Sequence, residues 1–389
     1  MKIVADSNIL SVESRFEDIA DLKLISGRSI RRKDLLDADA LLVRSITRVD
    51  KDLLDGTKVR FVGSATSGTD HIDLEYLQSK GIQFAEAGGS NANAVVDYCF
   101  AALAFAILHR NLKLQKCRVG IVGAGHVGGL FANRLQALGV ACKISDPPLE
   151  QFLKSQEPAS NADSASGYPS LSSFCALEEL LNYEIVSLHV PLVFGGKHPT
   201  YRLLGEREFA QLQQTATLIN TCRGSVVLES ALIKKLKEFD AITYIADVWE
   251  NEPDIFAELT RFADIATPHI AGYSHDAKMA ATQMMLAAVT AYFELPAAKQ
   301  SESELLEPFD LEFDKKPNAQ WQYLLDIFPL VKLSEEFKNS VRMGNANMQF
   351  DAMRKRLLGR REFRNYAISG AGLPDSQLEF LQINGIKII

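Results

Sequence analysis

Cysteine is scarce in this chain and never paired. Its five residues, Cys99, Cys117, Cys142, Cys175 and Cys222, lie far apart and form no CxxC unit. That spacing argues against a zinc site or a disulfide framework and fits reduced thiols in a cytoplasm. No metal is expected. Long apolar runs are missing too: the longest, "YCFAALAFAIL" at 98–108, is too short to cross a bilayer and fits a buried helix. The opening "MKIVADSNIL" has no apolar signal core behind its lysine, so a cytoplasmic location is expected and no membrane role follows. Excess positive charge is also absent. The formal net charge of −7 disfavours a nucleic-acid partner, although a small anionic ligand needs only a locally positive pocket. The basic stretch "MRKRLLGRREFR" at 353–364 stands apart from this balance and reads as a solvated helix face or part of a subunit contact.

What the chain does have is alternation. Its 389 residues exceed what one core normally organises, so two or three domains are expected. From 1 to about 95, the β-rich runs "KIVAD", "ALLVRS", "VRFVGSAT" and "IQFAEAG" alternate with helix-like stretches, which predicts a parallel sheet covered by helices. A long helix follows over about 93–113. Then "RVGIVG", "ACKISD", "EIVSLHV", "ATLINTC", "ITYIADV" and "DIATPHI" suit the six strands of a doubly wound sheet. The segment 157–170, rich in Ser, Ala, Asn and Pro, reads as a surface loop. Residues 275–294 read as a helix able to return the chain to the first domain. Residues 300–389 start acidic, mix helical and β-like segments and carry no reactive motif, so they read as a third domain whose job is assembly.

Chemistry concentrates in the second series. "CRVGIVGAGHVGG" places Gly123, Gly125 and Gly128 in G-x-G-x-x-G spacing after a strand and before a helix. There the backbone, including that of His126 and Val127, can approach a pyrophosphate. Asp146 closes the next strand about 20 residues on, where a carboxylate accepts from both ribose hydroxyls. That acid repels a 2′-phosphate, and Pro147 and Pro148 supply no arginine to receive one, so NAD is favoured over NADP. His189 in "LHVPL" suits cofactor packing better than proton transfer. Thr221, Cys222 and Arg223 in "INTCRGSVV", Asp247 in "ADVWENEP" and Gly272 in "TPHIAGYS" are further candidate cofactor contacts at the carboxyl ends of strands.

Three of these strand ends also supply a reacting set. Arg223 can fork onto a substrate carboxylate, His269 can take a hydroxyl proton as hydride leaves, and Glu252 can fix and tune the imidazole. Against this stands the plain alternative that His269 is a hydrogen-bonded core residue.

In this order the glycine turn, Asp146, "HVPL", "NTCRG", "DVWENEP" and "TPHIAG" resemble the D-isomer-specific 2-hydroxyacid dehydrogenases across roughly residues 1–295. The resemblance implies an α/β architecture, with a Rossmann-like NAD domain at 96–274 inserted into a flavodoxin-like substrate domain at 1–95 and 275–297. It implies Arg223, Glu252 and His269 as the catalytic triad. "LLVRSITRV", "SATSGTDHID", "NANAVVDY" and "PHIAGYS" followed by Lys278 resemble a branch of that family acting on a phosphorylated hydroxy acid. This implies Ser45, Thr66 and Tyr273 as substrate contacts, and a small C-terminal α+β dimerisation domain at 298–389 that makes the protein a homodimer. Arg44 is an added phosphate partner, because a dianion calls for a cation. One departure is Leu228, which stands where many relatives carry an aspartate and could alter helix capping. A dehydrogenase acting on phosphoglycerate or another 2-hydroxy acid, and an NAD-sensing corepressor that works by binding partners, remain open readings.

Overall fold

The computed structural model describes residues 1–110, 112–155, 169–296, 318–369 and 372–389. Of the loop expected at 157–170, only the last two residues fall among them. The chain divides into two compact units, the first starting at Met1–Asn91 and resuming at Ser274, the second starting at Ala92–Tyr273 and resuming in the C-terminal region.

The first unit is built on five parallel strands, β1 (Lys2–Asp6), β2 (Asp21–Ile25), β3 (Ala40–Val43), β4 (Phe61–Ser64) and β5 (Gln83–Glu86), in the order β2-β1-β3-β4-β5. This is the flavodoxin-like order. β3 and β4 are buried at every residue, as strands covered on both faces must be. β2 escapes sequence reading because it lies at the sheet edge and its "DLKLI" is only partly buried. The helix His275–Tyr292 starts where Ser274 Oγ accepts from the Ala277 N–H at 2.9 Å. It buries Ala281, Met285, Leu286 and Val289 in one cluster with Ile3, Ala5, Leu42 and Phe61, so the chain does return to the first sheet.

The second unit carries all six expected strands: β6 (Arg118–Val122), β7 (Ala141–Ser145), β8 (Ile185–Leu188), β9 (Thr217–Asn220), β10 (Thr243–Ala246) and β11 (Ile265–Ala266). They run parallel in the order β11-β10-β9-β8-β6-β7, and the order reverses at β6, where the crevice of a doubly wound sheet receives its ligand. The helix Ala92–His109 is apolar all round, and 78% of its most hydrophobic window is buried inside the protein. It is a core helix.

Of the region expected at 298–389 as a third domain, the first part, to 317, lies outside the described residues, and the described remainder groups with the second unit. The helices Ala319–Ile327, Leu330–Arg342, Ala346–Arg356 and Asp375–Ile383 join the second unit. The cause is the apolar surface of Ala92–His109. Trp321 stacks on Phe100 with centroids 6.4 Å apart, and Phe328 meets Tyr98 edge-on at 5.9 Å. At the open edge of the sheet, Ser334 Oγ accepts from the Ala266 N–H at 2.9 Å, satisfying a donor of β11 that has no further strand beside it.

Candidate active site

β6 runs into Gly123 at φ 86°, a left-handed turn open to glycine. A Cβ there would lie 2.8 Å from the His189 carbonyl oxygen, and one on Gly128 would lie 1.9 Å from that of Gly123. These two glycines let the turn close against β8 and let the helix His126–Ala137 start directly behind it. Gly125 has open space where its Cβ would point and, with His126, is exposed. The helix N-terminus thus presents backbone N–H groups in a cradle no side chain fills, which fits a pyrophosphate. Asp146 ends β7 and accepts from the Ala124 N–H at 2.8 Å and the Leu149 N–H at 3.0 Å. Its carboxylate therefore sits against the glycine turn. His189 Nε2 is 2.8 Å from Ser187 Oγ, and burial pushes its pKa down to about 3.

Arg223, Glu252 and His269 follow β9, β10 and β11. Gly224, immediately after the arginine, packs so tightly that a Cβ would lie 1.9 Å from the Trp249 carbonyl carbon. The loop of Arg223 and the loop of Glu252 are thereby in direct contact. The Arg223 guanidinium donates from Nη1 to the Cys222 carbonyl at 2.9 Å. Glu252 accepts from the Trp249 N–H at 2.9 Å through Oε1, and its Oε2 lies 2.7 Å from His269 Nδ1. Burial works to raise the Glu252 carboxyl, but His269 and the Trp249 N–H outweigh it and hold it below its ordinary value. With Nδ1 engaged, Nε2 is the ring nitrogen left to exchange a proton.

His269 itself adopts φ 54°, a left-handed conformation uncommon for a residue with a Cβ. Asp247 holds it there. Its carbonyl accepts from the His269 N–H at 2.7 Å, and its carboxylate accepts from Ile270 N–H at 2.8 Å, Ala271 N–H at 2.8 Å and Thr267 Oγ1 at 2.6 Å. The Asp247 side chain, read from sequence as a cofactor contact, is thus turned inward as the support of this loop. Thr221 and Cys222 are buried just past β9, immediately before Arg223, with the Cys222 thiol pushed up to about 11 by burial and its Sγ donating to Asn220 Oδ1 at 3.2 Å. Gly272 and Tyr273 are partly exposed.

In the first unit, Arg44 follows β3 and gives its Nε to the buried Asp6 at 2.7 Å. Burial tends to raise Asp6, but bonds from Asn8 and the Arg44 charge keep its carboxyl below the usual range. Ser45 is exposed, and Thr66 lies beyond β4 with its Oγ1 3.1 Å from Ser64 Oγ. All three stand at the carboxyl edge of the first sheet.

Sequence reading did not single out Arg354, Arg360, Asp97 or Glu229. Arg354 lies 4.6 Å over the Tyr273 ring. Arg360 bonds the loop of His269, and Asp97 accepts from Arg134 at 3.0 Å and from the Phe363 N–H at 2.7 Å. Glu229 is buried and accepts from the Glu250 N–H at 2.8 Å. For the two arginines the available signal was the basic run at 353–364, and nothing in its composition says that they turn inward.

The sequence profile of the family described as D-isomer specific 2-hydroxyacid dehydrogenase, NAD binding domain, matches residues 106–271. An erythronate-4-phosphate dehydrogenase of Marinobacter nauticus is 43% identical over 79% of this chain and 77% of its own length. One of Shewanella oneidensis is 39% identical over 100% of this chain and 99% of its own. Among solved structures, an NAD-bound 3-phosphoglycerate dehydrogenase of Entamoeba histolytica matches with a TM-score of 0.61 at 22% identity, covering 76% of this chain and 95% of that one. A D-lactate dehydrogenase of Aquifex aeolicus gives 0.59 at 20%, covering 76% and 96%. These two likenesses speak to fold. From these identities and the profile match together, the chain belongs to the erythronate-4-phosphate dehydrogenases, within the D-isomer-specific 2-hydroxyacid dehydrogenase family.

Proposed function

We propose that the protein oxidises the C2 hydroxyl of 4-phospho-D-erythronate to 2-oxo-3-hydroxy-4-phosphobutanoate, a step toward pyridoxal 5′-phosphate. The observation that carries this reading is the 2.7 Å contact of His269 Nδ1 with Glu252 Oε2, on a loop braced by Asp247. NAD, when bound, supplies the hydride acceptor. Gly123, Gly125, His126, Val127 and Gly128 would hold its pyrophosphate and Asp146 its ribose, with His189, Thr221, Cys222, Asp247 and Gly272 nearby. In the reaction, His269 Nε2 takes the hydroxyl proton while Glu252 stabilises the imidazolium that forms. Arg223 engages the substrate carboxylate and polarises C2. Arg44, Ser45, Thr66 and Tyr273 recognise the phosphorylated tail, Arg44 being held ready by Asp6.

We also read the C-terminal region as a dimerisation surface in a cytoplasmic homodimer. Support comes from the exposed Met343 and Met348, at 78% and 73% of full exposure, and sedimentation should show a dimer. The substrate assignment is tested by following NADH absorbance with 4-phospho-D-erythronate and 3-phosphoglycerate side by side. Faster turnover of phosphoerythronate is expected. Preference for phosphoglycerate would move the assignment to that substrate, and NAD-dependent partner binding without turnover would favour a corepressor.

A further inference from the structure

The His269 loop is held from two sides by opposite charges. On the amide side, the Asp247 carboxylate accepts from the Ile270 and Ala271 N–H groups, both at 2.8 Å. On the carbonyl side stands Arg360, which follows the short turn Leu357–Gly359 in the C-terminal region. Its Nη1 donates to the Ile270 carbonyl at 3.2 Å, and its Nη2 donates to the Ala271 carbonyl at 3.1 Å and the Ala94 carbonyl at 2.7 Å. The guanidinium lies 4.2 Å over the Phe328 ring. These three bonds go to main-chain carbonyls and engage donors of one guanidinium with two segments of the second unit.

We infer that Arg360 is a positioning residue for proton transfer, the carbonyl-side counterpart of Asp247, through which the C-terminal region fixes His269. The physical need is on the same loop. A residue at φ 54° with a Cβ persists only where its surroundings over-determine it. Asp247 fixes the N–H ends of the next two peptides, and Arg360 fixes the C=O ends of the same two residues. Neither peptide can rotate without breaking a charge-assisted bond. A planar fork can reach two adjacent carbonyls and a third on the helix Ala92–His109 at once, which a lysine's single ammonium does less well. The bond to Ala94 also ties the loop to a fixed part of the core. Arg360 touches no reacting atom, so its effect passes through His269.

This inference rests on His269 being the proton-transfer group, and the test separates the two. Arg360→Met and Arg360→Lys are compared with the parent and with His269→Ala, alone and combined, in the full-length protein. Arg360→Met is expected to lower kcat on the order of 10- to 100-fold, the scale of a slightly misplaced catalytic group, while the NAD dissociation constant stays within about threefold. Arg360→Lys should recover part of the loss. In the His269→Ala background, Arg360→Met should cost nothing further. A parental kcat in Arg360→Met, or an equal loss with and without His269, would overturn the inference. If His269→Ala alone keeps full activity, the reading of His269 fails instead. Should Arg360→Met not fold, Arg360→Lys carries the same comparison, with an equal loss in both backgrounds again counting against it.

Discussion

At the scale of single residues, the proposed chemistry and its supports fall to two classes of group. His269 has one nitrogen on Glu252 and, as the proposed general base, belongs to the first class. Replacing it with alanine should slow turnover by about two to four orders of magnitude, the usual worth of a general base. NAD titration should be nearly unchanged, because the glycine turn lies on a different loop, and a variant that loses both would count against the assignment. Glu229 belongs to the second class. Burial raises its carboxyl from 4.5 to about 7, only partly offset by the Glu250 N–H. The sign follows from that direction. Between about pH 4.5 and 7 the unfolded chain releases this proton and the folded chain keeps it, so this group's contribution falls as pH rises through that window. The full loss, on the order of 3 kcal/mol, is present above pH 7. Glu229→Gln keeps an acceptor for Glu250 and removes the titration. Urea melts from pH 5 to 8 should show a flatter pH dependence and a more stable variant at the alkaline end; an unchanged slope would exclude this source.

At the scale of elements, the contact of two strand-end loops matters most. Gly224 leaves no room for a methyl group against the Trp249–Glu250 backbone, its Cβ position lying 1.9 and 2.3 Å from atoms there. Gly224→Ala must therefore push the Arg223 loop from the Glu252 loop. The expected loss is about 1–3 kcal/mol of stability with a disproportionate fall in kcat, read from thermal melts and initial rates; a fall in stability alone would mean that the two loops tolerate the shift. Which elements were legible follows physical lines. β6, β8, β9 and β10 are short buried strands, and such strands read as apolar runs ending in polar residues. Arg223 and Glu252 stood out because reactive residue types sit just past those runs, as His269 does past β11. β2 did not, because an edge strand with alternate positions exposed carries charges. Arg360 did not, because its partners are carbonyls of residues about 90 and 266 positions away, and backbone acceptors leave no mark on residue identity. The inward turn of Asp247 was hidden for the same reason, since its partners are mainly amides.

At the scale of the molecule, the decisive feature is where the C-terminal region packs. The shift to acidic composition near 300 suggests a change of domain, and composition holds no record of where the chain beyond it packs. Trp321, Tyr323, Leu324, Phe328 and Phe337 are buried in one cluster with Tyr98, Phe100 and the strands of the dinucleotide sheet. Burying each such side chain contributes roughly 1.5–3 kcal/mol, and their sum rivals the whole net stability of about 5–15 kcal/mol typical of a folded protein. The same region supplies Ser334 to β11 and Arg360 to the loop of His269. A chain ending after Pro296 would therefore expose the apolar helix Ala92–His109 and lose a support of His269 together. It is expected to aggregate or to melt well below the full-length protein even when NAD is added, as thermal unfolding and size-exclusion chromatography would show. A truncated chain that is soluble, folded and fully active would mean that the C-terminal region serves assembly alone.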